Sequence, residues 1–407
     1  MSIIEELKKY KKVIIYGAGD VGSTVVQKLL CYPEIKLYCI AVSSYVDNPY
    51  HILGKPVISI EELQDLKNEC IVFIATKEKL HDEIKRQLLE YGFNNICYMS
   101  DELYNKWNET KKAELTDRYF SYVQKHIDPY LATIIQLCDD YQIKSEKKIR
   151  KYIQQALFFI NRDELDITRI AVVLGTKCSL RCKECNNLMP YFKPQYDFEL
   201  DEILESLELI LNCARTVLRC ELIGGEPFLS KNLVDVLEFL LKKKNVYQIE
   251  ITTNGQIIPD DSLVPLLKNR QVKVRISDYG SLVDKKKMIR FLTENSIYHE
   301  VLEIEDWISP GDINKRNRSK ELLAQCYNKC PAAYYCKTLF GRKLFLCARA
   351  ASLSALGYMD EKEYILVNEK ISPEEINMFF LKNYSEACDY CDIGDDNRIY
   401  VKPAEQF

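Results

Sequence analysis

Three cysteines fall within eight residues in the segment Cys178-Ser-Leu-Arg-Cys182-Lys-Glu-Cys185. Thiolates at that spacing can hold three irons of a [4Fe–4S] cube and leave the fourth iron without a protein ligand, open to a substrate. A zinc knot or a structural thiol cluster is the alternative that the spacing alone allows. Beyond residue 320 lie six more thiols, Cys326, Cys330, Cys336, Cys347, Cys388 and Cys391. The run from Cys336 to Cys347, broken by Gly341, reads as strand, glycine turn and strand, which would bring its end thiols together. The pair Cys388 and Cys391 could then close a four-thiolate site with Cys336 and Cys347, with Cys330 able to replace Cys336 and Cys326 a further candidate. A second iron–sulfur cluster and a zinc ion both suit such a set.

The elements that must position the first group are legible around it. Strands are expected at 168–174, 217–223, 248–253 and 271–277, with helices at 200–211 and 233–241 between them. This alternation implies parallel strands joined by crossovers, and in such sheets the chemistry gathers beyond the carboxyl ends of the strands. The polar motifs stand at those ends: Gly224-Gly225-Glu226-Pro227, then Thr252-Thr253-Asn254-Gly255, then Arg275 and Ser277 before Asp278-Tyr279-Gly280. Each alone is a common strand-end turn; in order, each at a strand terminus, they point to one site.

Taken together, these motifs resemble the radical S-adenosylmethionine superfamily. The resemblance implies that Cys178, Cys182 and Cys185 hold a [4Fe–4S] cluster whose open iron binds the amino and carboxylate groups of S-adenosylmethionine. Electron transfer then cleaves the sulfonium, and the resulting 5′-deoxyadenosyl radical removes a hydrogen atom from substrate. It further implies that Gly224, Gly225, Glu226 and Pro227 approach the methionine amino group. Thr252, Thr253 and Asn254, with Arg275 and Ser277, would line the ribose and carboxylate. The residue before the third cysteine is usually aromatic in that superfamily and here is Glu184, which leaves Tyr191 and Phe192 as candidates to pack the adenine. The C-terminal thiols look like the auxiliary-cluster (twitch or SPASM-like) extension of radical enzymes that oxidise sugars, aminocyclitols or peptides. An electron donor such as flavodoxin or ferredoxin is expected.

The N-terminal segment carries different chemistry. Residues 12–23 read as a buried strand entering a glycine-rich turn, Gly17, Gly19 and Gly22, and then a helix. Such glycines allow a tight turn and close approach to a phosphate, or merely let helix and strand pack. Asp47, 25 residues after Gly22, lies beyond the usual spacing for a ribose-binding acid, so hydride transfer is not expected. With Asp47-Asn48 and Gly54-Lys-Pro-Val57, the first 100 residues resemble the Rossmann-like, nucleotide-binding-like domains of sugar-modifying proteins in polysaccharide pathways. That resemblance favours a sugar or nucleotide-sugar substrate, with a precursor peptide as the rival and a non-enzymatic redox or scaffold protein last.

The expected fold class is α/β. It consists of a Rossmann-like domain at 1–100, a helical connector at 101–163 with apolar Tyr130, Leu131, Ile134, Ile135 and Leu137, a partial (β/α)6 TIM-like barrel at 164–305, and a cysteine-rich domain at 306–407. With 56 basic against 60 acidic residues the charge is −4, which calls for neither nucleic acid nor a membrane surface. No apolar run is long enough to span a bilayer, and the start lacks a signal-peptide core, so a cytoplasmic protein is expected. There, 16 cysteines are a poor disulfide framework and a good source of metal ligands. Cys31, Cys39, Cys70, Cys97, Cys138, Cys213 and Cys220 sit in apolar surroundings and read as core residues.

Overall fold

The structure is a computed structural model of the 407-residue chain. It describes residues 3–30, 32, 34–46, 48, 51–52, 55–107, 133, 136–137, 140, 165–330, 332, 336–359, 363–380, 382 and 384–407. The chain divides into two compact units, Met1–Glu164 and Leu165–Phe407. Among the described residues no helix is long and apolar enough to cross a membrane.

The first unit is a sheet of β1 (Lys12–Tyr16), β2 (Leu37–Val42), β3 (His51–Ile52), β4 (Lys55–Ser59), β5 (Cys70–Ile74) and β6 (Ile96–Tyr98), in the order β3-β4-β2-β1-β5-β6. All neighbours run parallel except β3 against β4. Strand β5, Cys-Ile-Val-Phe-Ile, is buried throughout, as a parallel strand covered on both faces must be. Alternation splits β1 accordingly: Val13 and Ile15 enter one apolar cluster, Ile14 and Tyr16 the other. Residues 101–107 are helical and Leu137 is buried, whereas Asp47, Gly54, Cys31, Cys138, Tyr130, Leu131, Ile134 and Ile135 lie outside the described residues.

The second unit is built on one eight-stranded sheet. Its strands are β7 (Leu165–Val173), β8 (Ala214–Ile223), β9 (Val246–Thr253), β10 (Val272–Asp278) and β11 (His299–Glu303), followed after the short β12 (Trp307–Ile308) by β13 (Lys337–Phe340), β14 (Lys343–Phe345) and β15 (Tyr364–Leu366). The order is β11-β10-β9-β8-β7-β13-β14-β15, and β12 pairs instead with β16 (Tyr400–Val401). Strands β7 to β11 are parallel, and β13 adds a sixth parallel strand beside β7. This corrects the expected six-strand barrel: residues 165–303 supply five strands, and the sixth comes from the cysteine-rich segment. The physical reason is that β13 carries its own apolar run, and Leu339 and Leu344 of the hairpin join the same core as Val172 and Leu222. Beneath the sheet the helices Leu200–Cys213 and Leu233–Leu241 bury leucines and isoleucines at helical spacing into that core.

The opposite face of β7 to β10 is charged. Alternation that sends Leu222, Ile249, Ile251, Val274 and Ile276 toward the helices sends Arg169, Glu221, Glu250, Thr252 and Arg275 the other way. Arg169 donates to Glu221 at 2.9 Å, and Arg275 reaches Glu221 at 2.7 Å and Glu250 at 3.1 Å. Burial alone would raise the Glu221 carboxyl, but Arg169 and Arg275 override it and hold the group well below the usual carboxylate range.

Candidate active site

The turns that leave β7, β8 and β9 are stitched to one another by their backbones. Gly225 N donates to Gly175 O at 3.1 Å and Glu226 N to Lys177 O at 2.7 Å, which locks the Gly224-Gly225-Glu226 turn onto the stretch that leads into Cys178. A Cβ at Gly225 would stand 2.0 Å from Lys177 O and 2.8 Å from Cys178 Cβ, so the approach requires glycine. Glu226 is 2% exposed. Its carboxylate accepts from Thr253 Oγ1 at 2.8 Å, Asn254 N at 2.9 Å and Phe228 N at 3.2 Å. Burial nevertheless pushes this carboxyl up to about 7. Asn254 Nδ2 completes the stitch by donating to Ser179 Oγ at 3.0 Å inside the cysteine loop.

Cys178, Cys182 and Cys185 are free thiols sharing an apolar cluster with Leu180, Val283, Ala404, Tyr279 and Trp307. They are also electrostatic neighbours of one another. Leu180 N donates to Cys178 Sγ and Gln406 Nε2 to Cys182 Sγ, each at 3.4 Å. Burial raises all three thiols, Cys178 up to about 12, so the bare loop is protonated at neutral pH and metal binding must displace protons. Among the described residues no three His, Cys, Asp or Glu side chains already converge on one metal position. Three soft sulfur donors on one short loop, with N–H groups aimed at two of them, fit the open-sided [4Fe–4S] ligand set.

The remaining strand-end residues divide. Thr253 and Asn254 belong to the stitched turn, and Pro227 begins its 3-10 turn Pro227–Leu229. Thr252 and Arg275 lie one step into the sheet, where Thr252 Oγ1 donates to Glu221 at 2.7 Å and Arg275 donates to Thr252 at 3.2 Å. Ser277 sits by Tyr279, whose hydroxyl burial pushes up to about 12. Phe192 packs in an apolar cluster against Phe340, and Tyr191 contacts Phe407 edge-on. Glu184 accepts from Ser309 Oγ at 2.8 Å.

Sequence reasoning passed over two features of this site. Tyr279, named in the strand-end motif but given no role there, meets Trp307 edge-on at 5.3 Å and borders all three thiols. Its signal was its place directly after the strand-end Ser277-Asp278. Residues 404–407 clasp the cysteine loop through Lys183 N to Glu405 O at 2.8 Å and Phe407 N to Arg181 O at 3.0 Å. Nothing local could have announced a partner more than two hundred residues away.

A second thiol group forms around the β13–β14 hairpin, which turns at Gly341 in the left-handed region. Cys347 has Cys330, Cys391 and Cys336 as electrostatic neighbours, and Cys388 has Cys347, Cys391 and Cys330. Cys347 caps the helix Ala348–Ala355 and its sulfur accepts from Ala350 N at 3.4 Å. Cys336 has Arg169, Glu221 and Arg275 on the charged face of the sheet as further neighbours. Cys326 lies beside Arg318 and Asp395, with its carbonyl against Gly394.

In the first unit, a Cβ at Gly22 would fall 1.7 Å from Gly17 O and one at Gly17 would meet Ala75 O at 2.9 Å, so those two glycines serve packing. Nothing lies within 4 Å of a Cβ at Gly19, which precedes the helix Asp20–Leu29. Cys39, Cys70 and Cys220 are buried, while Cys97 and Cys213 are partly exposed.

A protein-family model described as Radical SAM superfamily matches residues 172–277, and one described as C2185-like, N-terminal, matches residues 9–96. GTP 3′,8-cyclase of Clostridium perfringens is 34% identical over 119 residues, which is 28% of this chain and 34% of the relative. GTP 3′,8-cyclase of Thermodesulfovibrio yellowstonii is 31% identical over 100 residues, 23% of this chain and 29% of the relative. The chain thus spans about a third of the length of the curated relatives it matches. Among solved structures, BtrN in complex with AdoMet and 2-DOIA aligns with TM-score 0.40 and 15% identity over 60% of this chain and 98% of that one. SuiB of Streptococcus suis bound to S-adenosylmethionine aligns with TM-score 0.29 and 15% identity over 42% and 44%. The Gly224–Glu226 turn, Thr252–Asn254 and the cysteine loop thus all lie within residues 172–277, the segment that the Radical SAM superfamily model matches.

Proposed function

We propose that this chain is a radical enzyme that reductively cleaves S-adenosylmethionine and abstracts a hydrogen atom from a sugar or nucleotide-sugar-type substrate. The observation that carries the reading is the stitching of the Gly224-Gly225-Glu226 turn and Asn254 onto the cysteine loop, within the segment that matches the superfamily. A [4Fe–4S] cluster on Cys178, Cys182 and Cys185 would supply the electron that breaks the sulfonium. The chain's own part is positional. Gly224 and Gly225 present backbone at close range, Asn254 steadies the loop, and Tyr279 shields its apolar side. Ser277 borders the same space.

Anaerobically reconstituted protein with dithionite and S-adenosylmethionine is expected to form 5′-deoxyadenosine. Equal yield from Cys182→Ala would remove Cys182 from the ligand set. For the substrate, the relatives' name refers to a nucleotide, GTP, and the glycine turn of the first unit leaves open space at Gly19, so nucleotide-linked sugars stand first. Deuterium from labelled nucleotide sugars should appear in 5′-deoxyadenosine. Transfer from no sugar, together with transfer from a peptide, would favour a maturase. The C-terminal thiols would hold a second metal centre, iron–sulfur or zinc, on Cys330, Cys347, Cys388 and Cys391. Cys388, which has Cys347, Cys391 and Cys330 as neighbours, supports that set, with Cys336, a neighbour of Cys347 that also lies by Arg169 and Glu221, as the alternative fourth ligand.

A further inference from the structure

Arg349 is 1% exposed and among the largest fully buried side chains. A guanidinium has five N–H donors and must place them all when removed from water. Three are placed on backbone carbonyls: Nε on Tyr390 O at 3.0 Å, and Nη2 on Gly311 O at 2.9 Å and Asp312 O at 2.8 Å. The other two are on Nη1, which is buried and has no hydrogen-bond partner among the described residues. Cys391, Cys347 and Asp392 are the anionic-capable groups in its electrostatic neighbourhood, Asp392 being already paired with Arg316 and Arg318, and Arg349 and Arg316 are the cations in that of Cys391.

A second buried cation faces the same group. Lys337 is 7% exposed, bonds Tyr327 Oη at 3.2 Å, lies over the Phe380 ring at 5.3 Å, and has Cys347, Cys336 and Cys330 as electrostatic neighbours. Arg316 and Arg318, also close by, are spent on Asp392 and Asp395. Arg318 in addition holds the Cys388 and Cys391 carbonyls at 2.7 and 3.0 Å, so it shapes the Cys-x2-Cys loop and leaves its charge balanced locally.

We propose that Arg349, with Lys337, is the counter-charge of an anionic tetrathiolate metal centre on Cys330, Cys347, Cys388 and Cys391, and that Arg349 Nη1 donates to one of its sulfurs. The inference rests on the four-thiol reading above. The charges balance: four thiolates around a dication, whether zinc or the oxidised [4Fe–4S] core, leave two negative charges, and the two buried cations match them. Neutral thiols are weak acceptors and would leave Nη1 a poorly bonded, desolvated donor pair, whereas thiolates bind it strongly. Arg349 acts here as a positioning residue, through the sulfur it binds.

The test uses the full chain carrying Cys178→Ala, Cys182→Ala and Cys185→Ala, so that bound metal reports the second group. It is loaded with zinc(II) alone or with iron and sulfide, and read by metal content, zinc competition with a chelator, and a reductive titration followed by electron paramagnetic resonance. Arg349→Gln should bind zinc at least tenfold more weakly. If the centre is iron–sulfur, its reduced-to-oxidised ratio at fixed potential should fall tenfold, about 59 mV for one electron. Arg349→Lys keeps the charge and loses the paired donors, and should fall between the two. If Arg349→Gln loses its near-ultraviolet dichroism, Arg349→Lys decides, since affinity equal to the parent's would overturn the proposal. A parent that takes up neither metal sinks the four-thiol reading itself, whereas a metal-loaded parent matched in affinity and potential by both Arg349 variants sinks this inference alone.

Discussion

The two thiol groups of the second unit are built on opposite principles. Cys178, Cys182 and Cys185 come from one eight-residue loop, and the groups that most affect Cys178 electrostatically are its fellow thiols and an acid, Glu226. Cys330, Cys347, Cys388 and Cys391 come from a helix end, a hairpin end and a distant Cys-x2-Cys turn, and two buried cations face them. A local loop can present thiols at an edge with one side open. A group assembled from distant segments takes its neighbours from those segments, here two buried cations, and a counter-charge matters because a buried anion without a partner costs several kcal/mol. On the reading proposed above, the first group would receive a substrate and the second would hold a fixed centre.

That contrast can be broken most severely at the ligands of the first group. Cys178→Ala or Cys185→Ala should reduce 5′-deoxyadenosine formation to background while leaving metal at the second group, counted as iron and zinc per chain. The reciprocal change, Cys347→Ala or Cys388→Ala, should lower reconstituted iron from about eight to about four per chain if both centres are [4Fe–4S]. Cys336→Ala should leave the count unchanged, and a loss of iron equal to that of Cys347→Ala would return Cys336 to the ligand set.

Next in size is the charged face beneath the first group. Glu221 is held below its ordinary range, so its ionised form is favoured by folding. The stabilisation is present above the unfolded value near 4.5 and is lost as pH falls below it toward the folded value. Denaturant melts of the parent should show that acid loss, and Glu221→Ala, which strands Arg169 and Arg275, should cost about 3–5 kcal/mol at pH 7 and flatten the slope. A pH-independent difference between the two proteins would contradict the ion network.

Smaller effects sharpen how the loop is held. Asn254→Ala removes the tie to Ser179 and is expected to lower 5′-deoxyadenosine formation about 10–100-fold, the usual cost of losing an outer-shell support, with metal content retained. Gln406→Ala removes one N–H from Cys182 and should cost about 1 kcal/mol of stability, read as a shift in the urea midpoint. A larger loss of activity from Gln406→Ala than from Asn254→Ala would move the functional weight from the strand end to residues 404–407.

Local spacing carried much of this protein in plain view. The Cys-x3-Cys-x2-Cys loop, the Gly224-Gly225-Glu226 turn, the parallel alternation from residue 165 and the hairpin about Gly341 all depend on residues within a few positions of one another. Helical and strand periods convert such spacing directly into faces and ends. Glu226 was legible as a site residue, yet its three hydrogen bonds to the β8 and β9 turns follow from strand order. Tertiary structure alone decided that β13 would join the sheet beside β7, that Cys330 would stand with Cys347 and Cys336 beside Arg169, and that residues 404–407 would cover the cysteine loop. It also decided that Arg349 would be buried with two N–H groups to spare. The physical reason is common to all of these: a buried charge or thiol acquires its partner from whichever distant segment the core packs against it, and one-dimensional spacing contains no record of that neighbour.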